Sequence, residues 1–493
     1  MDTGAFRRRA EPLRRPEPPR RADAPLRRPD PNLRRPEGVL RRPTLAIDVG
    51  TAGSSVVLVT TERDLVIEDP DLGHPVWPTT VAHDGVSPRV GGAAENFSRV
   101  HPELATGQLK GLLAEPGTVS LGTLAVTPVE LMSWLLGAMR AQAQRLGGVD
   151  ATRAVLAVPV SYRLGDVRRE RLLEAAARAG LDTVELLPEP LATIAAPLTG
   201  AALGPGDMVL VCDVGAGGFT STLASVIKGG TVELLGYQET PECSGAEIDR
   251  LIMSELLTRS GRSWSDLSRP TEDPAQRLRT ARARRALAER ARAMKHQLST
   301  HASAVELVGP DEVAVELTAA ELTALVAPML HRAVGQARNV LTTAGVRPGE
   351  LAAVLLSGGG SRMPAVADAV TELLNRPVRH AADPQRAVAE GAARFARSVE
   401  RRHLRARVAT ERETPLRWDI PGGEAVDLHW LLAGGSRFGA SDPMGTVRLT
   451  DGSLWELRAG RTGTLLRTHL PDGSPVLSGD WLVTVELDVR PFR

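Results

Sequence analysis

Two acidic residues sit in the same local setting. Asp48 closes the apolar run Thr44-Leu45-Ala46-Ile47 and is followed by Val49-Gly50-Thr51 and a second apolar run over residues 55–59. Asp213 closes the apolar run over residues 208–212 and is followed by Val214-Gly215-Ala216-Gly217-Gly218, then by residues 219–226. Each reads as strand, Asp-Val-Gly turn, strand. Such a turn aims backbone N–H groups into a concavity that suits phosphate, and glycine lets a ligand approach the main chain. An Asp at the strand end can hold Mg²⁺ through water, because Mg²⁺ prefers oxygen ligands and keeps much of its hydration. A single Asp-x-Gly turn is usually just a hairpin. Two in matched contexts, far apart in the chain, predict a clamp for a nucleotide triphosphate between two lobes.

Positioning these turns requires an α/β scaffold, and the surrounding pattern supplies one. Over residues 44–398, strands alternate with helices. Residues 154–159 and 184–187 read as strands, 168–180 as a helix ending at a C-cap Gly180, and 190–198 as a short apolar helix. Residues 274–297 and 321–343 read as long helices. A strand over 354–357 runs into Gly358-Gly359-Gly360 and a helix over 363–374. That glycine turn joins a buried strand to a helix start, where a backbone without Cβ atoms can lie against a base or ribose. There is no Gly-x-Gly-x-x-Gly for a dinucleotide site and no P-loop signature.

The chain has 493 residues, 42% of them hydrophobic, and a net charge of +1 that is unevenly spread. Residues 1–43 hold thirteen Arg against six acidic side chains and repeat Leu-Arg-Arg-Pro at Leu13, Leu26, Leu33 and Leu40. Proline at that density blocks helix and sheet, so a disordered basic tail is expected. Phe6 is its only aromatic residue, and nucleic-acid binding is not expected of it. No apolar stretch is long enough to span a membrane, and no secretory signal is legible. With only Cys212 and Cys243 there is no disulfide framework, and a cytoplasmic setting is expected. The lysines are Lys110, Lys228 and Lys295; every other basic chain is Arg. From about residue 405 the texture changes. Four of the seven Trp lie there, and two hairpins, around Asp451-Gly452 and Pro471-Asp472-Gly473, predict a small β-rich module over 405–493.

The order of motifs resembles the seventy-kilodalton heat-shock chaperones (DnaK-like proteins) of the actin-like ATPase superfamily. The resemblance rests on Ile47-Asp48-Val49-Gly50-Thr51, on Val155-Leu156-Ala157-Val158-Pro159, and on Leu187-Pro188-Glu189-Pro190-Leu191-Ala192. It continues through Gly245-Ala246-Glu247-Ile248-Asp249, Lys295 to Ser299, Ser357-Gly358-Gly359-Gly360-Ser361-Arg362, and Asp383-Pro384-Gln385-Arg386. It implies a two-lobed, duplicated ribonuclease-H-like fold over 44–398, with lobe I over about 44–206, lobe II over about 207–375 and a closing helix over about 385–398. It also implies ATP or ADP with Mg²⁺ in the cleft. Asp48, Glu189 and Asp213 would surround the ion, and Glu189, Asp213 and Thr51 would serve catalysis. Asp48, Gly50, Thr51, Ala52, Gly215, Ala216, Gly217, Gly218, Glu247, Lys295, Ser299, Gly358, Gly359, Gly360, Ser361 and Arg362 would hold the nucleotide. Pro159 with Arg169, or Arg168 as its rival, would couple the site to the lobe surface.

Four departures from the family pattern bear on hydrolysis. Val90-Gly91-Gly92-Ala93-Ala94-Glu95 puts an acid where the family has its catalytic Lys. Losing one such electrostatic contact costs about 10²–10³ in rate. Gly218 and Thr220 stand where the family has Thr and Asp. Ala52 replaces a second Thr, and Arg292 replaces a Glu near Lys295. Nucleotide binding is therefore expected to survive better than hydrolysis, leaving at most a weak ATPase, and Glu95→Lys is expected to raise turnover. Neither the acidic-leucine linker nor the length for the family's peptide-binding sandwich and lid is found beyond residue 400. The leading expectation is a chaperone or nucleotide-dependent switch acting on an unidentified protein partner or client. A sugar or metabolite kinase and an actin-like scaffold are the alternatives.

Overall fold

The computed structural model describes residues 42–162, 166–226, 232–267, 271–406, 413–478, 480 and 482–487. The basic tail up to residue 41, with its repeats, lies outside them, as does Trp481.

Both Asp-Val-Gly segments form antiparallel hairpins. Thr44–Val49 pairs with Gly53–Val59, setting Asp48 opposite Ser55, and Met208–Val214 pairs with Phe219–Val226, setting Asp213 opposite Thr220. On its other edge each first strand takes a parallel neighbour. Arg153–Val158 sets Ala157 beside Asp48, and Leu351–Ser357 sets Ser357 beside Asp213. A further strand completes each sheet on that side: Thr183–Pro188 in the first, Val378–His380 in the second. Asp64–Val66 and Val232–Thr240 occupy the opposite edges. The two sheets therefore repeat one strand plan, with an Asp at the same register position of each. Central parallel strands are buried on both faces, which explains their near-continuous apolar runs.

The connecting helices begin and end where local chemistry permits. Val167–Arg178 starts at Asp166, whose carboxylate accepts the Arg168 N–H. It stops as Gly180 turns left-handed (φ 79°) and the Leu181 N–H returns to the Ala176 carbonyl. Ala319–Thr343 opens on a Thr318/Glu321 capping box.

Separate apolar clusters fill the two halves. Leu45, Ile47, Leu58, Leu131 and Leu135 anchor one; Leu210, Phe219, Ile248, Met294 and Leu356 anchor the other, which also contains the buried thiols of Cys212 and Cys243. The helix Ala387–Ala406 follows the second sheet in sequence yet packs on the first. Its Ala389, Ala392 and Ala393 lie against Ala46, Val57, Ala157 and Ala192. Small residues on both sides bring the backbones together, most closely at Gly391.

Beyond residue 412, two four-stranded antiparallel sheets share a core of Leu428, Met444, Val447, Leu465, Val483 and Val485. Pro443–Leu449 and Leu454–Arg458 form the first expected hairpin. The second differs from expectation. Gly463–Thr468 does pair with Val483–Leu487, but the intervening chain crosses to the other sheet, where Val476–Leu477 pairs with Glu424 and Ala425. The Pro471-Asp472-Gly473 turn is drawn there because the Trp430 N–H donates to the Asp472 carboxylate (2.7 Å) and the Gly473 N–H to the Leu428 carbonyl.

A Cβ at Gly391 would lie 1.7 Å from the Ala192 carbonyl oxygen, whereas one at Gly335, also within a helix, meets nothing within 4 Å. Replacing a helical Gly by Ala ordinarily stabilises by about 0.5–1 kcal/mol. Gly335→Ala is expected to show that gain in urea titration, and Gly391→Ala to lose roughly 1–3 kcal/mol through overpacking. Equal effects at the two positions would contradict the close helix contact.

Candidate active site: a carboxylate-lined cleft between two hairpins

The two turns meet head to head. A Cβ added at Gly217 would lie 2.5 Å from the Thr51 hydroxyl. Between and below them is a cleft of about 450 Å³ whose walls include Asp48, Gly50, Thr51 and Ala52 from the first hairpin, and Asp213 with residues 215–218 from the second. Gly358 and Gly359 line it as well. Gly358 is left-handed (φ 79°), and its Cβ would meet the Val214 carbonyl oxygen at 2.5 Å, so only glycine lets this loop lie on the strand that carries Asp213. Ser361 is buried and donates to the Gly358 carbonyl (2.7 Å); Arg362, at the surface, donates to Gln385.

Glu189 enters from the end of Thr183–Pro188, as the first residue of the helix Glu189–Ala195. Asp48, Glu189 and Asp213 all face the cleft. Burial, with Glu189 and Asp213 adding repulsion and Lys110 opposing, pushes the Asp48 carboxyl up to about 7. Burial and Glu189 push Asp213 up to about 6, against a hydrogen bond from Ser357. Cys212, next to Asp213 in the strand, is pushed up to about 12 by burial, so its thiol is inert core material.

The sequence reading missed Lys110. It stands on the short helix Leu109–Leu112 and donates to the Glu189 carboxylate at 2.5 Å. Burial disfavours its charge, but Glu189 and Asp48 together hold the ammonium above its ordinary value. The flanking Leu109 and Leu113 are buried, the Tyr162 hydroxyl donates to the Lys110 carbonyl (3.3 Å), and Arg171 donates to the carbonyls of Leu113 (2.8 Å) and Glu115 (2.9 Å).

Other expected site residues divide. Lys295 is buried and bridges Asp249 (2.6 Å) and the Gly245 carbonyl (3.0 Å), and Gly245 in turn donates to the Gly215 carbonyl. Ser299 follows the end of the helix Pro274–Leu298, which carries Lys295, and donates to the Lys295 carbonyl. Glu247 is not brought to the cleft. On the helix Gly245–Arg259 it pairs with the exposed Arg250 (2.6 Å), while Asp249, about 200° around that helix, faces Lys295. Of the two candidate arginines, Arg168 lines the cleft, paired with Asp166 (2.6 Å) and stacked 4.4 Å over the Tyr162 ring; Arg169 does not line it.

Glu95 also lies elsewhere than expected. Its carboxylate accepts from Thr80 (2.9 Å) and pairs with Arg285 (3.1 Å) and Arg292 (3.9 Å) of the helix Pro274–Leu298. Nearby, Arg99 pairs with Glu289 (3.3 Å) and Arg282 donates to the Val100 carbonyl (2.8 Å). Glu95 therefore ties the helix Gly92–Val100 of the first lobe to the second lobe, away from the phosphate turns.

Among the described residues, no three His, Cys, Asp or Glu side chains converge into a direct metal-ligating group. The cleft carboxylates are oxygen donors, the ligand type that Mg²⁺ prefers.

Comparison with known proteins places this geometry. The model of the Hsp70 protein family matches residues 117–405. The chain belongs to the Hsp70 family. Its duplicated sheets are accordingly those of the actin-like ATPase fold. A chaperone protein HscA homolog from Burkholderia mallei (strain SAVP1) is 29% identical over 370 residues, 71% of this chain and 57% of that protein. The HscA homolog from Burkholderia thailandensis is 28% identical over the same length and shares. The chain thus spans just over half the length of these curated relatives. The matched family segment includes Glu189, Asp213, Lys295 and the Gly358 loop; the first hairpin and Lys110 precede it.

Two outcomes follow from this Hsp70-family cleft. Glu95→Lys sets a cation against Arg285 and Arg292, so it is expected to speed hydrogen–deuterium exchange in residues 92–100 and 282–292 and to give no gain in ATP turnover. Unchanged exchange, or a rise in turnover, would contradict the interlobe role. Asp48 is ordinarily ionised above 3.8, but in the folded state only above about 7. The folded protein therefore holds the proton longer than the unfolded chain, and the associated stability is complete below about 4 and is lost as pH rises through 7. Asp48→Asn carries no such cost. Its stability advantage over the parent, in the absence of nucleotide, is expected to grow by roughly 2–3 kcal/mol between pH 5 and pH 8; a constant offset would refute the assignment.

Proposed function

We propose that this Hsp70-family chain binds Mg-ATP and Mg-ADP between its lobes and acts as a chaperone-like, nucleotide-dependent switch with slow hydrolysis. The observation that carries the reading is the contact of Thr51 with Gly217: two glycine turns, each beside a strand-end Asp, face each other across one cleft. The N–H groups of such glycine turns suit phosphates, and Asp48, Glu189 and Asp213 would hold a hydrated Mg²⁺ that neutralises the phosphate oxygens. Lys295, Ser299 and residues 358–362 would flank the adenosine.

Glu189 is the group suited to orient an attacking water, since its carboxylate reaches the cleft from a helix start. Slow hydrolysis is supported by the lack of a hydroxyl at Gly218 and of a carboxylate at Thr220 on the second hairpin, both of which line the cleft. Glu95 does not enter this account, because it serves the lobe contact. Closing the lobes on nucleotide would pass through that contact to a client or partner protein, and the similarity to HscA homologs favours a client over a sugar substrate or a filament.

Ligand at one hundred times its Kd stabilises by about 2.7 kcal/mol. Millimolar Mg-ATP and Mg-ADP are expected to raise the melting temperature by several degrees, with EDTA reversing most of the gain. In a single-turnover assay, bound ATP is expected to convert to ADP over many minutes. No thermal shift with either nucleotide would overturn the proposal, and turnover as fast as a sugar kinase given a sugar would favour the kinase alternative.

A further inference from the structure

We propose that Lys110 is the cation this cleft presents to the nucleotide's terminal phosphates, and that its bond to Glu189 is the protein's own cover for that carboxylate until phosphate arrives. The inference rests on the nucleotide reading above and adds a residue and a regulation to it.

The argument begins with charge. Four acidic side chains line the cleft, Asp48, Glu189, Asp213 and Glu239, against two basic ones, Lys110 and Arg168. A polyphosphate entering such a site needs a cation besides Mg²⁺. Arg168 is committed: Asp166 takes its guanidinium through two nitrogens and Tyr162 lies beneath it. Lys110 is held at its tip by one carboxylate oxygen alone, so a single exchange of partner frees it.

The residue type supports the same role. This chain uses Arg almost throughout, and lysines are three among sixty basic side chains. Two of those three, Lys110 and Lys295, lie at the cleft or against the glycine segment behind it. An ammonium is a compact point charge on a flexible stem, able to pass from one oxygen to another; a guanidinium fork would lock onto Glu189. The backbone beneath it is fixed by Tyr162 and Arg171, so the motion is confined to the side chain.

The consequence is a coupled exchange. Before nucleotide enters, Lys110 neutralises Glu189 and helps hold three carboxylates together. When phosphate oxygens enter, they outbid a single carboxylate for the ammonium, and Glu189 is released to accept a hydrogen bond from water. The covering and uncovering of Glu189 thus depend on phosphate, and adenosine alone leaves Lys110 in place.

The test compares Mg-ATP, Mg-ADP and adenosine by calorimetry on the full chain, as the parent, Lys110→Met and Lys110→Arg. Lys110→Met is expected to lose tenfold or more in Mg-ATP affinity while adenosine affinity is kept, and single-turnover hydrolysis is expected to fall by about 10²–10³. Lys110→Arg is expected to restore ATP affinity in part but not the hydrolysis rate. An ATP analogue with an acyl group on its terminal phosphate is expected to acylate Lys110 in the parent, with excess ATP protecting it. Retention of the ATP-over-adenosine preference in Lys110→Met, or ATP-protected acylation only at Lys295 or Lys228, overturns the proposal while leaving the nucleotide reading intact. Failure of the parent to bind any of the three ligands overturns both. Should Lys110→Met fail to fold, the acylation pattern of the parent decides.

Discussion

Carboxylates placed close together in a low-dielectric cleft repel one another, and this protein is built around that cost. Asp48, Glu189 and Asp213 arrive on three separate strand ends; Glu189 and Asp213 both oppose ionisation of Asp48, and Glu189 opposes that of Asp213. A fold optimised for stability alone would not bring them together. The two sheets do so because each carries its Asp at the same register position, and because glycine turns allow the hairpins to approach until Thr51 and Gly217 touch. The compensating charge comes from Lys110, whose helix is held by buried leucines, a tyrosine and an arginine.

Away from the cleft floor, the same two lobes are held by charges of a different kind. Glu95, Arg99, Arg285 and Glu289 form a half-exposed network between the helices at one side. The helix Ala387–Ala406 ties the end of the domain back to the first sheet through alanines and Gly391. One joint is polar, partly solvated and individually weak; the other is dry and close-packed.

Much of this was legible in the sequence, and the exceptions share a cause. The Asp-Val-Gly turns, the Glu189 helix start and the Gly358 loop are local devices, each readable from a few adjacent residues, and the strand and helix pattern around them follows period and capping. Glu95 was legible as a departure but not as a lobe contact, because its partner Arg285 is distant in sequence and alignment fixes a position, not the direction of a side chain. Lys110 escaped for a similar reason. It sits on a four-residue helix and meets Glu189 across 79 residues of chain, with no local pattern to mark it. Glu247 was assigned to the nucleotide from its motif, but its place on the helix turns it to Arg250, while Asp249 faces Lys295. In the C-terminal sheets, the Pro471-Asp472-Gly473 turn was readable, but the Trp430 contact that draws it to the opposite sheet was not.

Cys212 and Cys243 are both buried in the apolar cluster of the second lobe, and burial pushes their thiols up to about 12 and about 11. Thiolate, not thiol, is the reactive form. Both sulfurs are shielded from oxidants and alkylating reagents while that lobe stays intact, although Cys212 adjoins the cleft-lining Asp213 in sequence. The chain therefore carries a built-in clock: the rate at which a thiol reagent is consumed measures how often the second lobe breathes, free of any contribution from the first.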